Sequence, residues 1–150
     1  MKEILFRGKR IDDYVNDKSI DYTETSAGEW VYGDIIHRRY YKNKDVIVIR
    51  TEDSGFDNYS DYEVDPETIG QCVPNLVDKT GKKIFEGDIV EAVLEGKYEN
   101  TVIRGTVEPP NGGTYIFKDT QGRDLLLGQA CWEKCVTVIG NIYDNPELMK

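Results

Sequence analysis

The sequence predicts a mainly β protein, α+β with only a few short helices, and three observations carry that reading. Runs of β-branched and aromatic residues recur about every 8–12 positions, the spacing of short strands. Clusters of Gly, Pro, Asn and Asp separate them, and these residues set turn conformations. Ten Tyr and fourteen Gly in 150 residues tilt the composition the same way. The texture becomes regular from Val73, and the chain divides into an N-terminal β-rich unit, residues 1–75, and a C-terminal unit, residues 76–150. The second has the length and strand count of a five-stranded SH3-like β-barrel, although an irregular α+β meander would give a similar string.

Taken in order, residues 3–9 form the first expected strand, which Gly8 ends. Residues 10–28 are polar and aspartate-rich without a sustained period, and read as a long loop or a short helix. Trp30-Val-Tyr-Gly-Asp-Ile-Ile36 and Asp45-Val-Ile-Val-Ile-Arg50 are strands, joined by residues 37–44 with a turn near Asn43. Residues 52–67 hold seven acidic side chains and no basic one, which predicts an exposed loop. Asp65-Pro66-Glu67 then starts a single helical turn: Asp can cap it, Pro suits its first position and Glu complements the dipole.

In the second half, Asp78-Lys-Thr-Gly81 and Glu86-Gly87-Asp88 are turns, and Ile89–Leu94 is a strand. Thr101–Val107 is the next strand, Pro109-Pro-Asn-Gly-Gly113 a turn, and Thr114–Lys118 a short strand. Asp119–Gly122 turns again. Residues 124–135 hold a strand followed by a helical turn, Val136–Tyr143 is the last strand, and Asn145-Pro146-Glu147 repeats the helix-start signal. No internal repeat or low-complexity tract is visible.

Composition removes several function classes. The net charge is −9; residues 1–75 carry 10 basic and 16 acidic side chains, net −6, and residues 76–150 carry 9 and 12, net −3. Phosphate neutralisation supplies most non-specific DNA affinity, so neither half reads as a basic nucleic-acid module. No apolar run approaches the ~20 residues of a membrane helix. The start, Met-Lys-Glu-Ile-Leu-Phe-Arg7, lacks an apolar signal core, and cytoplasmic residence is the expectation. Three cysteines do not describe a disulfide framework.

The candidate chemistry is thin. His37 is the sole histidine and lies beside Arg38 and Arg39, as a surface or edge residue would. Cys131 and Cys135, with Cys72 far off, fall one ligand short of structural zinc unless His37 joins, and suit apolar packing near Trp132 better. The acidic run lacks the ligand spacing of a Ca²⁺ loop. Glu86 and Asp88 could serve as an acid–base pair, yet the turn between Ile84-Phe85 and Ile89-Val90 asks for a positive-φ Gly87 and an Asp88 that bonds nearby amides. No phosphate loop, dinucleotide fingerprint or nucleophile elbow occurs. The basic and aromatic ribbon Arg38, Arg39, Tyr40, Tyr41, Lys42 and Lys44 is the one stretch suited to nucleic acid. Catalytic residues, metal ligands and cofactors are therefore none.

Five motifs, Phe6-Arg-Gly-Lys9, Gly28-Glu-Trp-Val-Tyr-Gly-Asp34, Val64-Asp-Pro-Glu-Thr-Ile-Gly-Gln71, Asp78-Lys-Thr-Gly-Lys-Lys-Ile-Phe-Glu-Gly-Asp-Ile-Val90 and Val138-Ile-Gly-Asn-Ile-Tyr-Asp-Asn-Pro-Glu-Leu148, together resemble those of the YopX family of phage and prophage proteins. They fall in the family's order and span nearly the whole chain; residues 10–27 depart from it as an aspartate-rich insertion. The resemblance implies a phage or prophage gene, a mostly β fold, and no catalytic residues to carry over. The function expected is that of a non-enzymatic accessory protein acting through contact with a protein partner or with itself. A nucleic-acid module using the 38–44 ribbon is the alternative.

Overall fold

A computed structural model describes residues 5–11, 28–40, 44–53, 58–97, 99–111 and 113–150. The chain is mainly β, as expected, and every ladder among the described residues is antiparallel. It forms two compact units, Met1–Gln71 and Cys72–Lys150.

In the first unit, strands β1 (Phe6–Lys9), β2 (Trp30–Tyr40), β3 (Lys44–Asp53) and β4 (Asn58–Glu63) pair in the order β4-β3-β2-β1. Gly70 and Gln71, which open β5 (Gly70–Val77), pair with Arg7 and Phe6 on the free side of β1. Alternation puts Val31, Ile49 and Val64 into a core that Phe6, Ile47, Tyr62 and Ile69 complete. Gly8 does not stop the first strand, which runs on to Lys9. The glycine serves packing instead, because a Cβ there would meet the Val64 side chain at 3.0 Å.

A 3₁₀ turn, Pro66–Thr68, follows the expected capping signal, and the Asp65 side chain accepts the Glu67 N–H at 3.0 Å. It is tied to β1: the Lys9 N–H donates to Thr68 Oγ1 at 2.9 Å and the Asp65 N–H to the Lys9 carbonyl at 2.9 Å. Two buried cations lie over rings. The Arg7 guanidinium is 4.5 Å from the Trp30 centroid and that of Arg10 is 4.5 Å from Tyr62.

The acidic stretch corrects the sequence reading. Glu52 and Asp53 finish β3 and Asn58–Glu63 is a strand; residues 54–57 lie outside the described residues. The cation absent from the stretch comes from the strand beside it. Arg50, in register with Asp61, donates from Nε to Oδ1 at 2.8 Å and from Nη2 to Oδ2 at 3.0 Å. This two-pronged pair offsets the repulsion that would favour a loop. Residues 12–27, expected as a loop or short helix, and Asn43 of the expected turn also lie outside the described residues.

In the second unit the rest of β5 pairs with β6 (Lys83–Phe85). Strands β7 (Asp88–Leu94), β8 (Thr101–Asn111), β9 (Thr114–Asp119), β10 (Asp124–Leu126) and β11 (Val136–Asn141) form a sheet in the order β10-β9-β8-β7-β11. Helix α1 (Leu127–Trp132) follows β10, and a 3₁₀ turn, Pro146–Met149, follows β11. The expected SH3-like barrel is not closed, since β10 and β11 are the two edges of the sheet. Val73, Ile84, Val90, Val107, Phe117 and Leu127 centre the core.

Pro109 and Pro110, expected in a turn, lie inside β8 where its register with β9 shifts between Glu108 and Asn111. A bulge leaves residues without a ladder partner, so prolines lacking an N–H fit there.

For the hairpin pair, a double-mutant cycle on Arg50→Met and Asp61→Asn should give a coupling of about 0.5–1 kcal/mol in denaturant unfolding, decreasing as salt rises.

Candidate functional site

The residues of the Glu86-Gly87-Asp88 turn are engaged within the fold. The Asp88 carboxylate is buried, and its Oδ2 accepts the Phe85 N–H at 2.8 Å. Gly87 has φ +89; its N–H donates to the Val107 carbonyl at 2.9 Å and its carbonyl accepts the Ile142 N–H at 3.0 Å. A Cβ at Gly87 would also approach the Tyr143 ring at 3.0 Å. Glu86 accepts from the Tyr115 hydroxyl at 3.1 Å. Burial, with the Glu86 charge, pushes that phenol up to about 12.

Two other aspartates build matching turns. Asp78 Oδ1 accepts the N–H groups of Thr80 at 2.8 Å and Lys82 at 3.0 Å, and the Thr80 hydroxyl at 2.6 Å. Asp119 Oδ1 accepts the N–H groups of Gln121 at 3.0 Å and Arg123 at 2.8 Å. In both, the glycine three residues on donates its N–H to the aspartate carbonyl. The common pattern is Asp-x-x-Gly followed by Lys82 or Arg123, a likeness too short to show as a sequence repeat. Asp78 does more: its Oδ2 accepts the Val138 N–H at 3.0 Å, sixty residues away on β11. Burial would raise its carboxyl, but the bonds from Thr80, Val138 and Lys82 outweigh that and hold it at about 2.

The thiols are equally unsuited to chemistry. Cys72, Cys131 and Cys135 form no disulfide and are half-buried. Burial, then the Asp78 charge, pushes Cys131 up to about 11, and burial raises Cys135 too, so both stay protonated near neutral pH. His37 is exposed on β2 opposite Ile47. Of the nucleic-acid ribbon, Arg38, Arg39 and Tyr40 end β2 in register with Val46, Asp45 and Lys44, and Tyr41 and Lys42 lie outside the described residues.

A groove among the described residues was not foreseen from the sequence. Ala92 and Leu94 on β7, Ile103 on β8 and Phe117 on β9 present a continuous apolar floor. Leu125, Leu126, Gln129 and Ala130 form a wall where β10 runs into α1, and Glu133 and Cys135 complete the lining. The groove between them holds about 220 Å³. Gln129 and Trp132 are neighbours one helical turn apart, and the Trp132 indole is 86% exposed. The helix ends in a Schellman motif: the Cys135 N–H donates to the Ala130 carbonyl at 3.2 Å and the Lys134 N–H to that of Cys131 at 3.0 Å. Glycine normally takes the left-handed position of that motif, but here Lys134 does, with φ +54. Lys134 lines a second depression beside the groove with Lys79, Glu95 and Glu133. Trp132, expected amid apolar packing with Cys131 and Cys135, is instead exposed, because the helix phase that buries Leu127 and Ala130 turns it to solvent.

Two outcomes follow. Stability from Asp78 should be fully present above its unfolded pKa near 4 and be lost as pH falls from about 4 through about 2, on the order of 2 kcal/mol; Asp78→Asn should remove this acid dependence in denaturant unfolding at several pH values. Lys134→Gly should stabilise the chain by about 0.5–1 kcal/mol in the same assay, by relieving the left-handed strain.

A family model described as YopX protein matches residues 13–150. The match takes in residues 13–27 of the aspartate-rich insertion and begins after Phe6-Arg-Gly-Lys9. No curated protein matches the chain. With nearly its whole length covered, the chain belongs to the YopX protein family.

Proposed function

We propose that this chain is a non-enzymatic accessory protein of a phage or prophage, working in the bacterial cytoplasm by protein–protein contact through the groove beside α1. The observation that carries this reading is the 86% exposure of Trp132, one helical turn from Gln129 in the wall of a mainly apolar groove. A large apolar side chain held in water next to an unfilled apolar recess is the usual form of a contact site, because burying both on a partner removes apolar surface from water. Supporting it, Asp88 of the candidate acid–base pair is occupied by a backbone amide and Glu86 by the Tyr115 hydroxyl, and the thiols near α1 are protonated. Among the described residues no helix is long and apolar enough to cross a membrane.

The nucleic-acid alternative, through Arg38, Arg39, Tyr40, Tyr41, Lys42 and Lys44, has less behind it. The register sets Arg39 across from Asp45, and the −9 charge repels phosphate.

The test uses Leu126→Asp. Leu126 is the N-cap residue of α1, 53% exposed and without a side-chain cap bond, so an aspartate there supports the helix while placing a charge in the groove. Immobilised wild-type chain should retain a protein, from a bacterial lysate or from added free copies of itself, and Leu126→Asp should lose it by about tenfold or more. Equal retention by the two would overturn the groove as the contact site. A mobility shift with random duplex at about 150 mM salt, abolished by Arg38→Ala with Arg39→Ala, would favour the alternative.

A further inference from the structure

The groove carries its own complement. We propose that its occupant is Trp132 of a second copy of this chain, giving a two-fold dimer in which each copy inserts its indole into the other's groove; this rests on the groove being the contact site. In a two-fold contact one patch meets itself, so a knob and the hole that accepts it must lie in the same patch. Here they do: Gln129 lines the groove and Trp132 stands one helical turn from it.

Size, charge and area point to the same occupant. The groove holds about 220 Å³, of the order of a single large side chain, and the depression beside it, which shares Leu94, Glu133 and Cys135, holds about 560 Å³, room for the side chains that flank an inserted indole. The neighbouring depression is lined by Lys79 and Lys134 against Glu95 and Glu133, two cations and two anions, in a chain whose net charge is −9. A strongly basic or acidic partner finds no net charge there to complement. A second copy presents both signs, so cations can meet anions across the two-fold axis where most of the surface would repel. Lys134 keeps a strained left-handed backbone where glycine would be relaxed, and this places one of those cations beside the groove.

Area sets the strength of the contact. The exposed parts of Trp132, Leu126 and Leu94 amount to on the order of 400 Å² of apolar surface per copy, about half of the ~800 Å² that each partner contributes to a standard interface. The dimer is therefore a weak, concentration-dependent one, populated at tens to hundreds of micromolar.

Sedimentation velocity on the full chain tests this. The weight-average mass should rise from 17.2 kDa towards twice that value between about 10 and 300 µM. Trp132→Ala and Leu126→Asp should both stay monomeric over that range, with unchanged far-UV circular dichroism because both side chains are exposed. The wild-type Trp emission should shift to the blue as the dimer forms, while Trp132→Phe shows no such shift from its remaining Trp30. A wild type that is monomeric throughout, or a dimer that Trp132→Ala leaves intact, overturns the inference. If the wild type is monomeric while Leu126→Asp still abolishes retention of some other protein, the groove stands as a contact site and only the second copy is lost. If Leu126→Asp changes neither, both readings fall.

Discussion

One carboxylate holds the C-terminal unit in register. Asp78 receives four hydrogen bonds, three within its own turn and one from Val138 on β11. The Lys79 N–H adds a main-chain bond to the Val136 carbonyl on that strand at 2.9 Å. The turn between β5 and β6 is thereby fastened along the outer side of β11, an edge of the five-stranded sheet. An edge strand is otherwise a row of donors and acceptors open to any other chain. A buried carboxylate with amide donors on both oxygens is stable as an anion, and it charges the interior beside Cys131 enough to oppose a thiolate there. The same logic recurs at Asp88, Asp119 and Asn141, whose side-chain oxygens each accept amide hydrogens of a turn. Side chains of this kind allow short strands to follow one another without long loops.

The groove is a consequence of leaving the sheet open. With β10 and β11 at opposite edges, the segment between them has to carry the chain from one edge to the other, and it contains α1. That helix has six residues, about 9 Å of length, which buries Leu127 and Ala130 and cannot cover the sheet face beside it. Ala92 and Leu94, projecting from β7 to that face, keep a recess next to the helix. The helix turn that buries Leu127 and Ala130 leaves Trp132 pointing to solvent, because residues two and five positions away lie on different sides of a 3.6-residue period. Recess and indole are therefore products of one short helix.

The N-terminal unit handles charge differently. Arg7 and Arg10 are buried cations laid on the faces of Trp30 and Tyr62, and Arg50 reaches across a hairpin to Asp61. Acidic side chains outnumber basic ones in this half of the sequence, but these cations are placed on strands and beside rings where each can interact with several groups. The acidic segment can join a sheet because its neighbour in space, rather than its neighbour in sequence, is cationic.

Most of the strands, the turns at Asp78, Gly87 and Asp119, and the single helical turn after Asp65 could be read directly from the residues. Each depends on conformational preferences that act within a few positions: β-branched alternation, glycine at positive φ, and side-chain oxygens that bond adjacent amides. The family could be read as well, since its motifs lie along the chain in order. Three features could not. The strand character of Asn58–Glu63 depends on Arg50, eleven residues from Asp61; the prolines of β8 depend on a bulge in its pairing with β9; and the groove depends on whether β10 meets β11. All three are settled by partners distant in sequence. Local propensity says which residues will extend or turn, while pairing and closure are set by which extended segments come side by side, a contest that the free energy of the whole packed unit decides.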